Sequence, residues 1–234
     1  MNLNKKYDDC YIAFLDLLGF KELVKNQTCE QILKIFDEIE TRYTITCDKD
    51  QKTLADPNEI HFKIMSDSII FYVSSQTANS LPALISICAH FQFRLWRLEQ
   101  PILVRGAIVK GDLYANDDIM FGTGLTNAYL LEEKNAKVPR IVITKETIDT
   151  YKGDEISFMQ QFLLRDFDGF YYVDSFVMLY IWGNKDESYL RFCKHIQNIL
   201  VSTTDESIRN KYLYLESKIQ QVPYRVKSGD ENNV

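Results

Sequence analysis

The sequence has almost no histidine. Its three, His61, His90 and His195, show no spacing that would gather them on one metal ion. Cysteine is nearly as sparse: five residues, an odd number, with no Cys-x-x-Cys among them. That excludes a disulfide framework or a zinc pattern read from spacing, and reduced thiols in a cytoplasmic protein are expected. No window approaches the ~20 apolar residues that a membrane-spanning helix needs. The polar lead-in Met1–Asp9 holds no apolar stretch before Tyr11, so no signal peptide is expected. Positive charge is not in excess either. Lys and Arg number 27 against 33 Asp and Glu, a net charge of -6, so no nucleic-acid surface is expected. Single nucleotides, read by local groups, are not excluded by that balance. Repeats and low-complexity segments are absent. What remains is 46% hydrophobic over 234 residues, enough for one sizeable core or a domain with an appendage.

The chain is organised around Tyr11-Ile-Ala-Phe-Leu-Asp-Leu-Leu-Gly-Phe20. A run this apolar reads as a strand buried on both faces. Asp16 near its end is costly to bury unless a metal ion or a cation pairs with it. Phe62-Lys-Ile-Met-Ser-Asp-Ser-Ile-Ile-Phe71 repeats the device, two apolar strands meeting at a turn with Asp67 at its tip. The spacing predicts a hairpin over about 61–74 whose tip can lie beside the end of the first strand. Two carboxylates brought together there would hold Mg²⁺ or Mn²⁺, hard cations that take oxygen ligands. Leu18, Gly19 and Phe20 lead into a helix, and their backbone N–H groups are candidates for phosphate oxygens.

Other elements follow from pattern. Thr28 and Gln31 have the spacing of a capping box before a helix carrying Ile32, Ile35, Phe36, Ile39 and Tyr43 on one face. Asp56-Pro57-Asn58 marks a turn. A helix is expected over 81–99, a strand over 102–113, a turn at 116–118 with a returning segment at 119–121, a helix over 122–135 and a strand over 140–143, with Thr144 capping a small helix. The order β-α-α-β-β-α-β-(β)-α-β is a ferredoxin-like α+β plan with a mainly antiparallel sheet. Residues 1–150 form this core. Residues 151–234 are an extension: a strand at Phe167–Val173, a short element ending at Ile181-Trp-Gly, helices over about 186–202 and 206–221, and a tail from Ser228. The last helices pack on the core or at a dimer interface.

Phe14-Leu-Asp16-Leu-Leu-Gly-Phe20 and Met65-Ser-Asp67-Ser68 resemble the two metal motifs of class III nucleotidyl cyclases. The resemblance continues through Arg105-Gly-Ala-Ile-Val-Lys-Gly-Asp112 and Phe121-Gly-Thr-Gly-Leu-Thr-Asn-Ala-Tyr-Leu-Leu-Glu132, and covers roughly residues 8 to 145. Ala128-Tyr-Leu-Leu-Glu132, Pro139-Arg-Ile-Val142 and Asp168-Gly-Phe-Tyr-Tyr-Val-Asp174 make the chain most similar to the bacterial pyrimidine cyclases of Pycsar antiphage systems.

The resemblance implies a set of roles. Asp16, Asp67 and the Leu17 carbonyl would hold two Mg²⁺ or Mn²⁺ ions. Lys63 would read the base. The family's second adenine-reading position falls on Ile119, which breaks the adenine pattern unless Asp118 takes its place. The transition-state asparagine position falls on Thr126, with Asn127 one residue away, and the arginine position on Leu130; Arg140 or Arg105 would then supply the charge. Tyr43 and Tyr129 are candidates for walls of the base pocket. The implied activity converts UTP or CTP to its 3′,5′-cyclic monophosphate and pyrophosphate, in a homodimer with composite sites. The product would be sensed by a separate cyclic-nucleotide-binding effector in antiphage defence. An adenylate or guanylate cyclase, or a degenerate homologue that only binds nucleotide, are the alternatives.

Overall fold

The structure, a computed structural model, describes residues 6–37, 46–47, 52–53, 59–183 and 187–223. Ile39 and Tyr43, the turn at Asp56-Pro57-Asn58 and the tail from Ser228 lie outside the described residues. In chain order the elements are β1 (Asp8–Leu18), α1 (Phe20–Asn26), α2 (Cys29–Asp37), the short pair β2 (Thr46–Cys47) and β3 (Lys52–Thr53), β4 (His61–Met65), β5 (Ser68–Ser74), α3 (Ser80–Arg97), β6 (Leu103–Ala115), β7 (Met120–Phe121), α4 (Thr123–Asn135), β8 (Ile141–Ile143), α5 (Lys145–Asp149), α6 (Ile156–Gln161), β9 (Leu163–Arg165), β10 (Tyr171–Val173), α7 (Phe176–Gly183), α8 (Ser188–Ser202) and α9 (Glu206–Ile219).

The main sheet runs β4-β5-β1-β6-β8-β10-β9, with β7 paired to β6. The fold is α+β and the sheet mainly antiparallel, as expected; β6 and β8 run parallel. β1 lies inside the sheet between β5 and β6, and successive side chains alternate between its faces. Tyr11, Ala13, Leu15 and Leu17 enter the large core against α3. Cys10, Ile12 and Phe14 enter a smaller one that also holds Ala128 of α4. This is why the strand reads as apolar throughout. Asp16 follows Phe14 on the α4 face.

Local chemistry sets several boundaries. Thr28 N–H donates to Gln31 Oε1 (2.8 Å) and Gln31 N–H to Thr28 Oγ1 (3.3 Å), a reciprocal capping box. Thr144 accepts from Thr147 N–H at the start of α5. Helix α4 rides close on the sheet because two glycines face each other: a methyl group on Gly111 would stand 2.8 Å from the Gly124 Cα, and one on Gly124 2.3 Å from Ile12 Cδ1.

The segment after residue 150 continues the sheet instead of only lying upon it. β10 pairs with β8 and β9 with β10. The strand expected over Phe167–Val173 is shorter, because residues 166–169 form the turn of this hairpin. Phe170 carbonyl accepts from Asp166 N–H (2.8 Å), and Gly169 takes φ +89, a conformation that favours glycine. α7 ends at Ile181-Trp182-Gly183, and it and α8 cover α3 from the side away from the sheet. Trp96 of α3 stacks on Phe192 (5.2 Å) and lies 4.7 Å from Phe176. A helix covered on two sides is apolar nearly all round, and α3 is.

Arg140, one of the two arginines expected to supply charge to the phosphates, lies in a buried ion-pair cluster. It is 4% exposed. Nη1 donates to Asp166 Oδ2 (2.5 Å) and Asp168 Oδ1 (3.2 Å), and Nη2 to Asp168 Oδ2 and to the Asn135 carbonyl (2.9 Å). Lys218 and Tyr214 of α9 also donate to Asp166, at 2.6 and 2.9 Å. The Nη1 and Nη2 donors of Arg140 are taken up by two carboxylates and a backbone carbonyl, which tie β8, the β9–β10 turn and the end of α4 together, with α9 joined through Asp166. Burial alone would raise the Asp166 pKa. Hydrogen bonds from Lys218, the Phe167 N–H and Tyr214 outweigh it and hold Asp166 below the ordinary carboxylate range. A depressed folded-state pKa stabilises the fold above the unfolded value, and that stability is lost as pH falls through the folded one.

Arg140→Ala is therefore expected to destabilise the protein by about 3 kcal/mol, the low end for a broken buried ion pair because Lys218 remains on Asp166. Urea unfolding at neutral pH measures this. An unchanged midpoint together with lost catalytic activity would instead make Arg140 a catalytic group.

Candidate active site

The turn that carries Asp67 reaches the end of β1, where Asp16 stands. β4 and β5 join through Ser66 and Asp67, with Ser66 at φ +59. This tight turn places Asp67 next to the end of β1, where Asp16 stands opposite Ser68. Leu17 N–H donates to the Asp67 carbonyl at 2.9 Å. In a strand the N–H and C=O of one residue point to the same edge, so the Leu17 carbonyl also faces the hairpin tip. Carboxylate and carbonyl oxygens are the ligand type a hard divalent cation takes. Among the described residues no group of three or more His, Cys, Asp or Glu gathers in one place, so a bound ion would complete its shell from backbone and substrate oxygens.

Asp16 is not without a counter-charge. It faces Arg105 of β6 in register, and Arg105 Nε donates to its Oδ2 at 2.8 Å. Glu132 of α4 shares the same guanidinium: its Oε1 lies 2.7 Å from Arg105 Nε but out of line with the N–H, so the contact is an ion pair without a hydrogen bond. Glu132 is 2% exposed. Burial pushes its carboxyl above the ordinary value, Arg105 pulls it down, and the charge of Asp16 adds to the rise. Neither pairing stood out in the sequence. The signal was the helical stripe Gly124, Ala128, Glu132, the buried positions of α4: a carboxylate on a buried stripe requires a partner.

The remaining expected residues lie farther out. Leu18 is half-buried, Gly19 takes φ +79 and Phe20 is buried beside Phe36. The first helical bond of α1 runs from Glu22 N–H to the Gly19 carbonyl, so the N–H groups of Phe20 and Lys21 precede it. Lys63 stands opposite Ile70, two residues along β5 from the Asp16 level and on the same face. Its Nζ turns away from Asp16 and donates to the Asp117 carbonyl at 3.0 Å. Asn116 Oδ1 accepts from the N–H groups of Asp118 and Ile119 and orders that turn, leaving Ile119 54% exposed. Lys63 and this turn border a cavity of about 690 Å³ that also takes in Asp8, Cys10, Tyr72 and Asn116. Thr126 and Asn127 are exposed on α4, away from the buried stripe, and Leu130 is on that outer side too. Tyr129 sets its ring edge-on to Phe14 at 5.7 Å. Within one chain, then, the side chains of Asp16, Arg105 and Glu132 come together, with Leu17 bonded to the Asp67 backbone beside them, while no contact joins Lys63, Thr126 or Asn127 to the group among the described residues.

No protein-family model and no curated protein matches the sequence. Solved structures do match. The non-canonical dimeric guanylyl cyclase domain of the RhoGC fusion protein from the aquatic fungus Blastocladiella emersonii superposes with a TM-score of 0.51 at 13% identity, over 71% of this chain and 96% of that one. The fold is that of a class III nucleotidyl cyclase domain. The adenylyl cyclase CyaB from P. aeruginosa matches at 17% identity over 72% of this chain and 95% of that one, with a TM-score of 0.48. In the cyclase-like fold of this chain the turn that carries Asp67 sits at the end of the central strand, where Asp16 stands. Among the described residues no helix is long and apolar enough to cross a membrane.

Arg105→Met is expected to cost about 3–5 kcal/mol, because it strands two adjacent carboxylates, one of them buried. Asp16→Asn leaves the Arg105–Glu132 pair in place and is expected to cost about 1 kcal/mol. Urea midpoints of the two variants check the asymmetry. A silent Arg105→Met would mean that the carboxylates do not depend on the guanidinium.

Proposed function

We propose that the protein is a nucleotidyl cyclase that converts a pyrimidine nucleoside triphosphate, UTP or CTP, to its 3′,5′-cyclic monophosphate. The observation that carries this reading is the backbone bond from Leu17 N–H to the Asp67 carbonyl, which sets the hairpin tip beside the end of β1, with Arg105 2.8 Å from Asp16, in a cyclase-like fold. In the reaction the ribose 3′-oxygen bonds to the α-phosphorus, its proton is lost, and pyrophosphate leaves. Mg²⁺ or Mn²⁺ held by Asp16, Asp67 and Leu17 would supply charge neutralisation for the triphosphate and the attacking oxygen. With the Arg140 donors taken up elsewhere, Arg105 is the arginine positioned to meet phosphate oxygens, and its planar fork suits them. The open N–H groups after Leu18 and Gly19, at Phe20 above all, would add donors.

The Lys63 ammonium is turned to the Asp117 carbonyl and Thr126 and Asn127 are exposed on α4, which supports a composite site. In a homodimer, the metal-side carboxylates of one protomer would face the base- and phosphate-side residues of its partner. Lys63, a donor only, would contact a base carbonyl. Ile119 at the adjoining turn offers the exocyclic amine of adenine no acceptor, which favours a pyrimidine. The product would act as a messenger for a separate cyclic-nucleotide-binding effector in antiphage defence, as the resemblance to the pyrimidine cyclases suggests. A degenerate, nucleotide-binding homologue is the second reading. The pairing of Asp16 with an internal cation and the leucine at position 130 favour it.

Incubation with each of the four NTPs and Mn²⁺ separates these readings. UTP or CTP is expected to be cyclised, and Asp16→Ala or Asp67→Ala to abolish turnover through a loss of several kcal/mol of transition-state stabilisation, the scale of Lewis-acid catalysis. The unpaired polar edge of a purine is expected to cost roughly 1–3 kcal/mol, a tenfold to hundredfold preference. Faster turnover of ATP or GTP would sink the pyrimidine assignment, and no turnover of any NTP would leave the degenerate homologue. Mixed Asp67→Ala and Lys63→Ala protomers are expected to regain activity. Failure to do so under proven subunit exchange would place the site within one chain.

A further inference from the structure

We propose that Glu132 is a positioning residue that takes over the Arg105 guanidinium when a divalent cation occupies Asp16. The inference rests on the reading of Asp16 and Asp67 as a cation site. One N–H stands between two carboxylates: Arg105 Nε donates to Asp16 Oδ2 at 2.8 Å, while Glu132 Oε1 waits at 2.7 Å, off the N–H direction. A single N–H makes one good hydrogen bond at a time, because the bond weakens steeply as it bends. The two acceptors differ in access. The Asp16 side chain is 18% exposed and that of Glu132 3%, so a cation from solvent reaches Asp16 and not Glu132.

A cation on Asp16 removes the acceptor of the Arg105 N–H and brings a like charge beside it. Glu132 is already within contact distance, so a small rotation of the guanidinium restores a charge-assisted hydrogen bond. Arg105 then stays beside the cation instead of being expelled, with the other donors of its fork free for phosphate oxygens. Without Glu132 the arginine has only Asp16, and it competes with the cation for the same oxygens.

The test combines Mn²⁺ binding to the protein alone, by calorimetry, with NMR of the ¹⁵Nε–H signals of arginine in the presence and absence of Mg²⁺. The Arg105 signal is assigned by its loss in Arg105→Lys. In the wild type Mg²⁺ is expected to shift this signal while it stays protected from water exchange. In Glu132→Leu, which keeps the bulk and removes both acceptor oxygens, Mg²⁺ is expected to bleach the signal by exchange. The Mn²⁺ dissociation constant of that variant is expected to rise at least about tenfold, the size of one charge-assisted hydrogen bond. The proposal is overturned if the wild-type signal is unmoved by Mg²⁺, if Mg²⁺ exposes it to exchange in the wild type, or if it stays protected in Glu132→Leu. The wild-type titration decides the matter even if Glu132→Leu fails to fold. Absence of Mn²⁺ binding by the wild type would instead remove the cation site, and this inference with it.

Discussion

A carboxylate at the end of a strand buried on both faces has to be neutralised, and the architecture around β1 answers that requirement. Asp16 stands where three strands come level: Ser68 of β5 on one side and Arg105 of β6 on the other. The guanidinium of Arg105 balances it from across the ladder, and α4 lowers Glu132 onto the same group. The close seat of α4 is possible because Gly111 and Gly124 leave no side chain between helix and sheet. Two negative groups and one positive group then share one pocket of low polarity, where unbalanced charge is expensive. Asp16 and Glu132 together outnumber the single Arg105 cation between them.

The same principle recurs at Arg140, with the opposite outcome. There one guanidinium and Lys218 face Asp166 and Asp168, so charge is balanced inside the cluster. The group acts as a clasp joining the sheet to α9. The contrast between the two arginines is a matter of stoichiometry and position: Arg105 is outnumbered by carboxylates at the end of the central strand, Arg140 is closed in by a turn and a helix.

Much of the fold was legible from pattern. The β1 run, the Ser66-Asp67 turn, the Thr28–Gln31 capping box and the Thr144 cap are local: a few neighbouring residues decide them, and hydrogen bonds form between those same residues. The strand expected from Phe167 was not, because aromatic content alone does not distinguish a strand from the turn that Asp166 and Gly169 close. The helices after residue 186 were legible as amphipathic, but not what they cover. That depended on α3 being apolar on two sides, which the burial of Trp96 against Phe176 and Phe192 makes plain.

The candidate site divides along the same line. Sequence alone determined that Asp16 and Asp67 end apolar strands at turns, and that each needed a positive partner, because the cost of burying a charge is a property of the residue and its immediate surroundings. Only the tertiary structure decided that the partner of Asp16 is Arg105, shared with Glu132: the two lie 89 and 116 positions beyond Asp16 in the chain, and strand register and the helix seat bring them together. Sequence likewise offered Arg105 and Arg140 as equal candidates for a phosphate. The fold gives them different surroundings: Arg140 Nη1 and Nη2 are held by Asp166, Asp168 and the Asn135 carbonyl, whereas Arg105 stands beside Asp16 near the end of β1, because strand register and turn geometry act over distances the local sequence does not encode.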